Sequence, residues 1–319
     1  MELDTTSSHR PARGFVHEAL MYHGDAECTE AVREFVRDAV DAAEPVLVAL
    51  PGDSLERVRA AVGDAGPEAR FEDMRDVGRN PSRLLPLIEE WVHAHEAGGA
   101  RVRVVSEAIW PGRSYPETVE CLRHEALLNS ALAEANATIM CPYDAERLDP
   151  NTLTGAELTH PTVVEHGERR PSSAYRAPVD GDLERRWPLE PPTEPVSEHE
   201  LSSTLGELRQ AVADDPLVAG LSDARRNDLV LAVNEAATNA VRHGDGACTA
   251  RIWHDGRGVV AEVSSRSGVD DPLAGRCVRP EPEALSGRGL WLINEICDLV
   301  ELRAGERGMT LRMHMSDAA

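Results

Sequence analysis

Six prolines fall within 25 residues: Pro171, Pro178, Pro188, Pro191, Pro192 and Pro195. Proline fixes φ and removes an amide donor, so this stretch builds neither a helix nor a central strand. It reads as a linker over 173–197, with one globular unit at 11–172 and another at 198–316. A chain of 319 residues has room for two domains. Its aromatic content of 4% makes their cores mostly Leu, Val and Ala.

The two sides of the linker carry different patterns. Before it, helical periodicity (29–40, 54–62, 83–97, 117–135) alternates with short apolar runs (45–50, 101–105, 137–141). That order predicts an α/β unit with a mostly parallel sheet covered on both faces. After it, helices are expected at 198–212, 222–243 (Ser222 as N-cap, Gly244 as stop) and 288–297. Strands are expected at 249–254, 258–263, 299–303 and 309–315, with a long loop at 270–286. In the last strand Met309, Leu311, Met313 and Met315 alternate with Thr310, Arg312 and His314. Helices grouped with a mixed or antiparallel sheet predict an α+β sandwich.

Composition excludes whole chemistries. All 33 basic residues are Arg, against 56 acidic, for a net charge of −23. Without Lys there is no Schiff-base enzyme, no lysine-containing phosphate loop and no protein-kinase strand lysine. The charge disfavours nucleic acid and anionic membranes as partners. The N-terminus lacks an apolar signal core, and no apolar run approaches the ~20 residues of a membrane span. Six scattered cysteines without a CxxC pair read as free thiols in a reducing cytoplasm.

On the helix after Ser222, the apolar stripe is Leu229, Val233, Ala236, Ala237, Ala240 and Val241. Glu235 and Asn239 stand one turn apart on the opposite side. Such a pair can hold hydrated Mg²⁺ through the carboxamide while the carboxylate accepts a proton. Further on, Gly287-Arg288-Gly289-Leu290 opens a helix after the long loop. Glycines there let backbone amides approach phosphate oxygens, aided by the helix dipole.

The segment Asn234-Glu235-Ala236-Ala237-Thr238-Asn239-Ala240-Val241-Arg242-His243-Gly244 resembles the N box of the GHKL ATPases, and more narrowly that of bacterial anti-sigma-factor serine kinases. Gly287 to Ile293 resembles their second glycine box, and Gly308-Met309-Thr310 their final strand. The resemblance implies ATP and Mg²⁺ as cofactors, Glu235 as catalytic residue and Asn239 as the Mg²⁺ ligand through ATP. It implies Gly287, Arg288, Gly289, Leu290 and Thr310 as nucleotide contacts, with Arg288 the candidate cation. One departure weakens the match: aligned through Asp271 to Arg276, Ser265 replaces the adenine-binding Asp and Ser267 the following Gly. Gly268 is then the displaced flexible residue. Charged hydrogen bonds contribute roughly 1.5–3 kcal/mol against ~1 for neutral ones, so nucleotide affinity should fall about tenfold or more.

The first unit holds its own constellation: His17-Glu18-Ala19, Arg79-Asn80-Pro81, His124-Glu125-Ala126-Leu127-Leu128-Asn129, Cys141-Pro142-Tyr143-Asp144 and His160-Pro161. In doubly wound folds ligands bind at strand ends. His17, His124, Cys141 and His160 are adequate zinc or soft-metal ligands, though not at a recognised zinc spacing. A metal site, a small-ligand pocket and structural hydrogen bonding all remain open. The segment from Phe15 to about Ser172 resembles the MEDS family of sensory domains, which implies a RecA-like sheet without a phosphate loop and a small organic ligand. The pocket candidates are His17, Arg79, Asn80, His124, Glu125, Cys141, Tyr143, Asp144 and His160.

The two resemblances together imply a cytoplasmic transcription regulator, like a stress-response family of high-GC actinobacteria. A sensor would govern an anti-sigma factor that binds a sigma factor, or phosphorylates a STAS-type anti-anti-sigma protein on Ser or Thr. Kinases of this type often pair as homodimers. Two alternatives stand beside this reading. One is a nucleotide-independent partner-switching module with a degenerate ATP site. The other is a small-molecule or metal sensor with the second unit as scaffold.

Overall fold

The computed structural model describes residues 14–63, 69–96, 99–177, 185–201, 204–243, 247–266, 271, 273–276, 288–305 and 308–317. The first sheet has the strand order β3-β2-β4-β5-β1-β6-β7. Its strands are β1 (Val16–Tyr22), β2 (Val46–Leu50), β3 (Ala69–Asp73), β4 (Val102–Ser106), β5 (Ala137–Asp144), β6 (Thr162–Glu165) and β7 (Glu168–Pro171). All neighbours are parallel except the β6–β7 hairpin. Helices α1 (Asp25–Asp41) and α2 (Gly52–Val62) cover one face, where Leu20, Tyr22, Val48 and Val105 lie. On the other face α4 (Leu84–Glu96), α5 (Tyr115–Ala131) and α6 (Pro150–Thr159) cover Ala19, Leu47, Val104, Ile139 and Cys141; α3 (Met74–Val77) is a single turn after β3. Parallel strands buried on both sides need continuous apolar sequence, which is why β2 reads Val-Leu-Val-Ala-Leu.

The second sheet is antiparallel, in the order β11-β12-β10-β9-β8. Its strands are β8 (Ser197–Glu200), β9 (Cys248–His254), β10 (Val259–Ser265), β11 (Leu299–Gly305) and β12 (Gly308–Met315). Helices α7 (Leu205–Ala213), α8 (Asp223–His243) and α9 (Arg288–Ile296) pack on one face over Ala261, Val263, Leu311 and Met313. The other face is charged and buried. Glu262 accepts from Arg312 Nε at 2.6 Å and from Arg251 Nε at 2.9 Å. The fold classes therefore match the sequence expectation: α/β before the linker, α+β after it.

Several elements depart from the sequence pattern. β1 carries His17 and Glu18, only 1% and 4% exposed, which break its apolar run. β3 is a half-exposed edge strand, and the β6–β7 turn places His166 and Gly167 at positive φ. Residues 198–200, expected to start a helix, belong with Ser197 to a charged edge strand (Ser197–Glu200), and the helix begins only after Thr204 accepts from the Glu207 amide. Ser222 does not cap α8 with its hydroxyl, which donates to Asp317 instead. Val241, placed on the apolar stripe by periodicity, is 40% exposed. Gly244 and most of the 270–286 loop lie outside the described residues.

The two units meet along α5. Its start is fixed by a capping box: Ser114 Oγ accepts from the Glu117 amide, and Glu117 Oε2 accepts from the Ser114 amide at 2.7 Å. From Val119 to Leu128 every residue of α5 is buried. Cys121 and Leu128 face the first sheet, whereas Leu127 and Ala126 meet Leu273 and Trp187. Glu120 Oε1 accepts from Arg303 Nη1 and Oε2 from Arg276 Nη2, both at 2.5 Å, and Arg123 lies 3.4 Å away. Arg123 also donates to the Leu302 carbonyl, Asn80 to the Asn294 carbonyl, and Arg79 pairs with Asp298.

Candidate functional sites

In the second unit, Glu235 and Asn239 project from α8 and are half-buried. The backbone of Gly289, in the first turn of α9, lies directly over them. A Cβ at that position would stand 3.1 Å from both Glu235 Oε2 and Asn239 Nδ2. Only a residue without a side chain allows this approach undisturbed. It brings the carboxylate, the carboxamide and the start of a helix, with its favourable dipole end, into one place. Leu290, the next residue, packs against Gly275, whose carbonyl accepts from Asn294 Nδ2 at 2.7 Å. Arg288 is exposed at the start of α9.

The rim of this site includes the ends of β10 and β12. Gly308 has φ +112°, and a Cβ there would fall 2.0 Å from the Ser265 carbonyl. Ser265 pairs with Met309, and Ser264 with Thr310. Alternation then puts Ser265 on the α8 side, with Val263, but turns Thr310 to the opposite, charged face with Arg312. Thr310 is thus not brought to the nucleotide candidates, and its place is taken by Met309. Gly268 and Gly287 lie outside the described residues.

In the first unit, β1, α5, β5 and the end of α6 bring four buried side chains together. Glu125 Oε2 lies 3.2 Å from His17 Nε2, 3.3 Å from Cys141 Sγ and 3.6 Å from His160 Nε2. Cys141 Sγ is 3.5 Å from His17 Nε2. Burial alone would push Glu125 up, but the imidazoles around it hold it well below the ordinary carboxylate range. Burial and Glu125 push Cys141 and Tyr143 up, so both stay protonated. Tyr143 adds its ring, edge-on to His160 at 5.5 Å.

The other sensor candidates are dispersed. His124 is buried, and among the described residues neither ring nitrogen has a hydrogen-bond partner; burial lowers it to about 4. It is not among the four converging groups. Asp144 sits at the far end of β5, accepting from the Glu146 and Arg147 amides. Arg79 and Asn80 belong to the contact between the units. Sequence reasoning missed Glu120, Arg276 and Arg303. The signal available was a Glu and an Arg (Glu120, Arg123) three residues apart around apolar Val119, Cys121 and Leu122.

α5 connects the two sites. Glu125 faces the four-residue cluster, and Glu120, little more than one turn earlier, fixes Arg276 beside the α9 contact. Burial would raise Glu120, but Arg303, Arg123 and Arg276 outweigh it and hold the carboxyl below its usual range.

Among the described residues no helix is long and apolar enough to cross a membrane, and the five described cysteines are free and buried. A comparison with curated proteins found no match. Residues 16–161 match the model of the MEDS family, the methanogen/methylotroph DcmR sensory domain. Residues 199–315 match the model of the histidine kinase-like ATPase domain. The chain therefore joins an N-terminal MEDS sensory domain to a C-terminal histidine kinase-like ATPase domain.

Proposed function

We propose that this protein is a sensor-coupled anti-sigma regulator of the cytoplasm, with a kinase-like ATPase domain. The observation that carries the reading is the seat of Gly289 over Glu235 and Asn239. That gap is a cradle a methyl group would fill, and it suits phosphate oxygens and a hydrated cation. ATP with Mg²⁺ would supply the transferable phosphoryl group. Asn239 would ligate the cation, the first amides of α9 would hold phosphate oxygens, and Ser265 would accept a neutral hydrogen bond from adenine. Glu235 would accept the proton of a Ser or Thr hydroxyl on a STAS-type anti-anti-sigma protein. The same domain would bind a sigma factor when the partner is phosphorylated. The arginine cluster on Glu120 would carry the state of the sensory domain to the 273–276 segment.

Ser265 favours a second reading, a partner-switching module that no longer needs nucleotide. Calorimetry of the full chain with Mg-ATP separates the two. Millimolar-range or tighter binding, strengthened about tenfold or more by Ser265→Asp, supports the kinase reading. No heat from either protein supports the second. A pull-down from native cytoplasm with and without ATP then identifies the partner, and Glu235→Ala should abolish phosphotransfer while sparing that partner.

A further inference from the structure

We propose that His17, Glu125, Cys141 and His160 bind a divalent d-block cation of the zinc class inside the sensory domain. Their ligand atoms all lie within 4.8 Å of one another, and all four residues are buried. A tetrahedral site with bonds of about 2.0–2.3 Å has edges of about 3.3–3.8 Å. Four of the six edges are 3.2, 3.3, 3.5 and 3.6 Å, and the other two are within 4.8 Å. Small side-chain adjustments would complete the tetrahedron.

The surroundings fix both imidazoles as ligands. Asn129 Nδ2 donates to the Thr159 carbonyl at 2.8 Å and to the Glu125 carbonyl at 3.1 Å, which turns Oδ1 toward His17. His17 Nδ1, 3.2 Å from that oxygen, is then the donor, leaving Nε2 a bare lone pair. His160 Nδ1 donates to the Ala156 carbonyl at 2.8 Å, so its Nε2 is bare as well. Both lone pairs converge on the Glu125 carboxylate. This is the outer-shell arrangement that orients histidine ligands and raises their basicity.

Without a cation the cluster is poorly satisfied. Among the described residues, neither Glu125 Oε1 nor His160 Nε2, both fully buried, has a hydrogen-bond partner. Buried polar groups left unpaired are costly, and two lone pairs facing a carboxylate repel. A dication removes both penalties and displaces the Cys141 thiol proton, which is released to solvent as the S–metal bond forms. Two imidazoles, a thiolate and a carboxylate select zinc or its d-block neighbours over Mg²⁺ or Ca²⁺. The trio His23, Glu165 and His166 lies at the surface, with Glu27 3.6–3.7 Å from both imidazoles rather than within hydrogen-bond distance, and serves as the control. Cation binding here is independent of whether the ATPase domain takes nucleotide.

The test titrates the full chain, stripped by chelator under anaerobic conditions, with Co²⁺. Expected are intense tetrahedral d–d bands with one thiolate-to-cobalt charge-transfer band, saturating at one ion per chain and lost on adding Zn²⁺. Cys141→Ser should delete the charge-transfer band. Asn129→Ala, a positioning change, should keep the band shape but weaken affinity about 10–100-fold. His23→Gln should change nothing. A folded wild-type chain that gives no one-to-one tetrahedral spectrum overturns the proposal. So does a charge-transfer band that survives Cys141→Ser.

Discussion

Replacing Glu120 with Gln tests the junction of the two domains. The side chain is 0% exposed, and those of Arg276 and Arg303 are 4% and 9% exposed. The substitution keeps the shape but removes the one carboxylate that these arginines share. Breaking a buried pair by removing one partner costs roughly 3–5 kcal/mol, because the other charge is left uncompensated. The loss should appear where Leu273 and Arg276 meet α5, so the domains part before either unfolds. Urea unfolding followed by two probes should change from one transition to two. Hydrogen exchange should rise in 273–276 and α9, while β2 and β4 stay protected. Coupling to Arg303→Gln supplies the control, since the double variant should lose much less than the sum of the singles. The pH sign follows from the depressed carboxyl. Its contribution is present above the ordinary Glu range and is lost as pH falls through the lowered value. A loss below about 1 kcal/mol with a single transition would refute the reasoning, since that is the size of an exposed pair.

Three further outcomes are expected. His314, 2.9 Å from Glu301 and 3.1 Å from Asp255, is raised from 6.5 to about 9, although burial opposes this. Its contribution, at most about 3 kcal/mol, is present below pH 6.5 and lost as pH rises through 9, so His314→Gln and wild type should differ in denaturant midpoint at pH 6 and converge near pH 10. Gly289→Ala puts a methyl 3.1 Å from Glu235 and Asn239; calorimetry should show Mg-ATP binding weakened at least about tenfold, one hydrogen bond's worth, with circular dichroism unchanged. Burial raises Glu107 to about 8, so its acid is neutral at pH 7 and accepts from the Tyr22 hydroxyl; Glu107→Gln should become more stable than wild type as pH rises from 6 to 9, and melting temperatures across that range check it.

How much of this was legible depends on sequence distance. Glu235 and Asn239 are four residues apart on one helix, so helical period alone stacks them. The continuous apolar run of β2 likewise announces a doubly covered parallel strand. β1 hides because the residues that equip it for the cluster, His17 above all, interrupt its apolar pattern. Glu120 meets arginines 156 and 183 positions away, a pairing no local pattern encodes. Thr310 shows the opposite case: the alternation of Met309, Leu311 and Met313 already assigned it to the wrong face, and the motif resemblance pointed the other way. Arg79 and Asn80 join the pocket candidates only through the motif that resembles the sensory family. They serve the domain contact instead.

A helix with one wet side can absorb a nudge by rolling its polar residues through water. α5 lacks that freedom between Val119 and Leu128. Glu125 and Glu120 are separated by about 7.5 Å of helix rise, with close-packed neighbours on every side. A displacement imposed at one carboxylate therefore reappears at the other as movement of a stiff rod. Whatever settles against Glu125 should then also shift the counter-charge of Arg276, so the sensory domain is expected not to respond privately.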